Sequence, residues 1–153
     1  MSDGKYLVFT LDDAEYAIAV ADVREIIGAI PITRVPGVPD SVRGVVNLRG
    51  KIIPVADLRI RFNMAAVDHG ARTCIIVVRA RGGEFGLVVD KVLEVARIAE
   101  TDIEPPPVFG ADVHTDYLIG VARNGNGARL LLDVERTLTT VETAAMSAAA
   151  HSA

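Results

Sequence analysis

Short apolar runs rich in Val, Ile and Leu recur along the chain, separated by Gly, Pro, Asn and Asp. They predict strands at Tyr6–Leu11, Tyr16–Val20, Val42–Leu48, Lys51–Ala56, Cys74–Ala80, Phe85–Val89, Val92–Ile98, Leu118–Arg123 and Arg129–Leu132. Turn punctuation at this spacing reads as all-β, a barrel or a sandwich. Helical periodicity is sparse. Ala21–Ile27 (ADVREII) suits about two turns, the residues after Asp57 about one, and Val134 onward a C-terminal helix with Asp133 as N-cap. The Ala-rich end, residues 143–153, has helix propensity but almost no amphipathic face, and is expected to fray.

The pattern repeats. EYAIAVADVREI (residues 15–26) lies over EFGLVVDKVLEV (residues 84–95) without a gap, matching Glu15 with Glu84, Val23 with Val92 and Glu25 with Glu94. Gly44-Val45 recurs as Gly120-Val121, and 13 residues separate Gly44 from Asp57 and Gly120 from Asp133. The simplest account is a single domain over residues 1–153 made of two similar β units, about 5–63 and 72–134, followed by the C-terminal helix and tail of 134–153. Units of about 60 residues bury little core alone, so the two should pack together as one body.

Half of the 153 residues are hydrophobic, 5% are aromatic and none is Trp, which leaves little ring surface for stacking bases or sugars. The net charge of −4 weighs against nucleic acid as the main partner. That mean hides an asymmetry: residues 1–81 carry 11 basic against 9 acidic side chains, residues 82–153 only 5 against 11. A lone Cys74 cannot form an internal disulfide, no signal-like segment opens the chain, and no apolar run approaches the roughly 20 residues that span a bilayer. A cytoplasmic protein is expected, with any membrane location borrowed from a partner.

Catalytic chemistry is thinly supplied, and neither a cofactor nor a metal is expected. His69, His114 and His151 fall in a polar connection, a loop and the tail, and CxxC, HExxH and GxSxG are missing. Cys74 opens an apolar strand and reads as a buried, inert thiol. Gly44, Gly50 and Lys51 mimic a phosphate loop but fail its spacing, and Ile52 stands where a magnesium-holding Ser or Thr would be needed. Asn124–Gly127 (NGNG) is a hairpin turn, and Asp57, Asp90 and Asp133 read as caps of following turns.

The most informative stretch is VRGVVNLRGKIIPVADLRIRF, residues 42–62, where five basic residues accompany the single acid Asp57. Two apolar strands meet at a turn tipped by Arg49-Gly50-Lys51, and Pro54 predicts an edge strand or an irregularity. A positive tip beside an apolar edge suits a protein partner with its own apolar stripe and acids. An SH3-like barrel binding RNA through residues 43–61 and an unrecognised hydrolase are the weaker readings.

This stretch resembles the signature of the CheW-like domain family, a Gly-Val/Thr-x-Asn-Leu-Arg-Gly turn, an apolar strand with Pro and then Asp-Leu: Gly44, Asn47, Leu48, Arg49, Gly50, Pro54, Asp57 and Leu58. The likeness continues through YLVFTL, EYAIAVADVREI, FGLVVDKVLEV, DIEPPPVFG and YLIGVARNGNGARLLLDVERTL, in order along nearly the whole chain. It implies two SH3-like five-stranded β-barrels sharing a hydrophobic core. It also implies a non-enzymatic chemotaxis adaptor joining the cytoplasmic tip of transmembrane chemoreceptors to the CheW-like regulatory domain of the histidine kinase CheA, recruited to receptor arrays at the inner face of the membrane. A related pathway controlling pili, surface motility or development is the alternative. By the same resemblance Arg49, Ile52, Cys74 and Val95 would contact the receptor, and Val23, on a short helix after Val20, the kinase. Cys74 departs from the larger aliphatic residue usual there.

Overall fold

The computed structural model of the chain describes residues 3–65, 70, 72–80, 83–107 and 116–138. Eleven strands and two single-turn helices occupy them: β1 Asp3–Leu11, β2 Ala14–Ala19, β3 Val23–Gly28, β4 Val42–Leu48, β5 Lys51–Asp57, α1 Leu58–Arg61, β6 Cys74–Ala80, β7 Gly83–Val89, β8 Lys91–Ala99, β9 Ile103–Glu104, β10 Leu118–Asn124, β11 Gly127–Leu132 and α2 Val134–Thr137. Asp57 and Asp133 cap the two helices as expected, accepting from the N–H groups of Arg59 and of Glu135 and Arg136. His69, His114, His151 and the Ala-rich end lie outside the described residues.

The strands form two sheets, ordered β8-β1-β2-β11-β10-β9 and β3-β6-β7-β5-β4. Neither sheet is built from one half of the chain. The hairpin β1–β2 of the first half joins β8 to β11 of the second, and the hairpin β6–β7 of the second half joins β3, β4 and β5 of the first. The parallel pairs β2·β11 and β5·β7 and the antiparallel pairs β1·β8 and β3·β6 are the seams of this exchange. Apart from the two-residue β9, the two sheets have the same order in repeat-equivalent strands, so the internal repeat is a repeat of topology.

Each sheet curls into an SH3-like barrel, because alternate side chains serve different cores. Val8, Ala17, Ile98, Ala122 and Leu131 fill the first barrel, and Val46, Ile53, Val55, Ile75, Val77 and Val88 the second. The opposite faces supply a core between the barrels, with Leu7, Phe9, Leu11 and Ile18 from one side and Val42, Ala56, Ile76, Val78 and Leu87 from the other.

Three expectations need correction. Ala21–Ile27 is not helical: Val20–Asp22 make a 3₁₀ turn and Val23 begins β3, whose burial alternates residue by residue as it pairs with β6. Ladder hydrogen bonds and the β-branched Val23, Ile26 and Ile27 outweigh the weak helical pattern. Pro54 is not on an edge strand, although the β4–β5 ladder does shift register beside it, between Val42 and Gly44 opposite Ala56 and Val55. β5 lies between β7 and β4, and the parallel ladder to β7 starts at Val55, so the missing N–H falls just outside it. Cys74 is half-buried, and its Sγ lies 3.3 Å from the carbonyl of Arg72.

Candidate functional site

The β4–β5 hairpin closes through a two-residue loop, since Leu48 pairs with Lys51. Arg49 and Gly50 both take positive φ, 53° and 85°, the backbone of a type I′ turn, and Asn47 Oδ1 accepts the Gly50 N–H at 2.8 Å. The turn thrusts Arg49 into solvent, 70% exposed, where its guanidinium pairs with Glu25 of β3. Beside it Glu84 of β7 accepts from Lys51 Nζ at 2.5 Å and Arg24 Nε at 2.9 Å. The Lys51 hydrogen bond, aided by the charges of Lys51 and Arg24, holds the Glu84 carboxyl below its usual range despite some burial. One end of the second barrel therefore carries an exposed cluster with a surplus of positive charge.

The remaining residues expected at the receptor face lie elsewhere on the two barrels. Ile52, one residue beyond Lys51, shares a strand face with Ala56, which belongs to the core between the barrels. Cys74 packs on that same core from the start of β6. Val95, 55% exposed on β8, stands opposite Leu7, another member of it. Cys74 thus packs on the core between the barrels, and Ile52 and Val95 lie on strand faces that carry members of it. Arg49 and Ile52 share one hairpin, whereas Cys74 sits at the other end of β6, level with Val89. The six steps from Cys74 to Ala80 span about 20 Å, so these residues do not converge on a point. Val23 is half-buried at the head of β3 and packs on the shared core. A cavity of about 910 Å³ under the segment from Ile30 to Arg43 contains none of the five.

Two ion-pair groups escaped the sequence reading. In the first barrel Arg129 of β11 donates from Nε to Glu15 of β2 and from Nη2 to Glu94 of β8, each at 2.8 Å, while Asn124 Nδ2 adds a 3.1 Å bond to Glu15. A usable signal existed, because Glu15 and Glu94 are the repeat partners of Glu84 and Glu25: the same pair of acids closes the end of each barrel. Between the barrels, Arg59 of α1 grips Asp90 with two bonds of 2.7 and 2.6 Å, and Asp90 Oδ2 also accepts the Asp12 N–H at 2.8 Å. Asp90 therefore stabilises the β1–β2 turn and α1, not a turn that follows it. Burial pushes its carboxyl up, but the hydrogen bonds from Arg59 and Asp12 and the Arg59 charge outweigh that and leave it lower than usual.

Among the described residues no group of three or more His, Cys, Asp or Glu is placed to hold a metal ion, and no helix is long and apolar enough to cross a membrane.

Comparison with known proteins agrees with this architecture. The CheW-like domain matches residues 5–142. Over 148 residues the chain is 36% identical to the chemotaxis protein CheW of Klebsiella aerogenes, covering 97% of this chain and 89% of that protein. It is 30% identical over 145 residues to the protein FrzA of Myxococcus xanthus, covering 94% and 90%. Among solved structures it is similar to the scaffolding protein TtCheW from Thermoanaerobacter tengcongensis, with a TM-score of 0.82 at 34% identity over 93% of this chain and 96% of the other. With the fold, the turn signature and the sequence match in agreement over nearly its whole length, the chain belongs to the CheW-like domain family.

Proposed function

We propose that the chain is a non-enzymatic chemotaxis scaffold that couples transmembrane chemoreceptors to the histidine kinase CheA. The observation that carries this reading is mutual coverage: nearly all of this chain corresponds to nearly all of a protein described as a scaffolding protein. The kinase's CheW-like regulatory domain docks barrel to barrel at the surface around Val23. The receptor's helical tip lies along the seam, its apolar anchors on Ile52, Cys74 and Val95 and an acid or helix-end carbonyl at Arg49. The chain works in the cytoplasm and reaches the membrane through the receptor. A scaffold transmits only the difference in affinity that it has for the signalling states of its partners.

Calorimetry with a CheA regulatory domain and a receptor cytoplasmic fragment tests the reading, and failure of the chain to bind either one overturns it. Arg49→Ala should weaken the receptor fragment about tenfold and leave the kinase domain unaffected. Because the Arg49–Glu25 pair is exposed, its loss should cost less than about 1 kcal/mol and lower Tm by no more than about 4 °C. A larger fall in Tm would make Arg49 a structural residue.

A further inference from the structure

We infer that Arg129 is a positioning residue that fixes strand β8 for receptor docking, an inference that rests on the receptor reading above. Among the described residues β8 is an edge strand, paired only with β1, and its ladder is irregular between Val8 and Phe9, opposite the segment from Val92 to Glu94. That segment leads into the exposed apolar pair Leu93 and Val95. Backbone pairing is thus weakest beside the side chains that would meet a partner. Glu94 lies between these two residues, opposite Val8 of β1, and Arg129 holds its exposed carboxylate.

The guanidinium joins three strands. It reaches from β11 to β2 and on to β8, beyond the intervening β1, with one nitrogen for each carboxylate. Arg129 is 13% exposed, Glu15 28% and Glu94 54%, so the latch is most open to water at its β8 end. A planar fork can hold two acids at once in a fixed geometry, which a lysine ammonium does less well. The second barrel lacks this device: Ile53 stands at the position equivalent to Arg129, and Glu25, the equivalent of Glu94, pairs with the exposed Arg49 of the hairpin turn.

Hydrogen exchange and calorimetry on the full chain, with Arg129→Leu, Arg129→Lys and Glu94→Gln, test the role. Arg129→Leu and Glu94→Gln should speed exchange of the β8 amides about tenfold while those of β6 and β7 keep their rates. The receptor fragment should bind about tenfold more weakly and the CheA domain within about twofold of the parent. Arg129→Lys should restore part of both losses. Should Arg129→Leu fail to fold, Glu94→Gln decides, because it removes an exposed charge and leaves the Arg129–Glu15 bond. Unchanged β8 exchange in Glu94→Gln overturns the latch. Faster exchange with unchanged receptor affinity overturns the positioning role alone, and a parent chain that binds no receptor fragment overturns the receptor reading itself.

Discussion

Gly44→Ala should destabilise the protein by about 3–5 kcal/mol, lowering Tm by roughly 10–15 °C in thermal unfolding. An added Cβ would lie 2.0 Å from the carbonyl oxygen of Thr33 and 2.8 Å from its carbon, and the backbone at φ +137° disfavours any side chain. Neither obstacle yields easily. Thr33 exchanges two hydrogen bonds with Val45, at 2.8 and 2.9 Å, which tie the segment after β3 to the edge of β4. Gly120 makes the repeat-equivalent approach to β9, where a Cβ would meet Ile103 at 2.5 Å and the carbonyl of Glu104 at 2.7 Å, but without positive φ. Gly120→Ala should therefore cost less. Gly28→Ala, with open space around it, should stay within about 0.5 kcal/mol of the parent. Equal effects of the three substitutions would refute this account.

Arg59→Ala should cost about 2–4 kcal/mol in urea unfolding, because it strips a two-bond partner from Asp90, which is only 24% exposed. The loss should depend on pH. The folded-state pKa of Asp90 is depressed, so its contribution is complete above the unfolded value, about 4, and fades as pH falls through the lower folded value. The parent chain should lose stability steeply in that acidic window, and Arg59→Ala should show a shallower slope. Some slope should survive, since Glu84 is depressed by its own cations. A pH profile for Arg59→Ala parallel to that of the parent would show that the pair contributes no linkage.

Much of the secondary structure was legible from local pattern. The runs 42–48 and 74–80 are strands to the residue, because β-branched residues bounded by turn formers leave few other conformations. Asp57 and Asp133 announced their helices because capping is a local hydrogen bond. The turn at Arg49 was legible as well, since Asn-Leu-Arg-Gly combines a side-chain acceptor with a glycine. Ala21–Ile27 misled because its few apolar positions fit a helix nearly as well as a strand, and only β6 alongside decided between them. Asp90 misled for a related reason: its partners, Arg59 and the Asp12 N–H, are 31 and 78 residues away.

By itself the sequence determined most strand positions, the internal repeat, the caps at Asp57 and Asp133 and the basic turn, all of which depend on side-chain type and neighbours along the chain. Tertiary structure alone decided that the halves exchange hairpins, that Cys74 packs on the core between the barrels, and that Arg129 and Arg59 tie distant strands together. The physical reason is that composition and periodicity record which face of a strand is apolar, but not which of several similar apolar faces it will meet. That choice is made only when both barrels and the core between them are filled together.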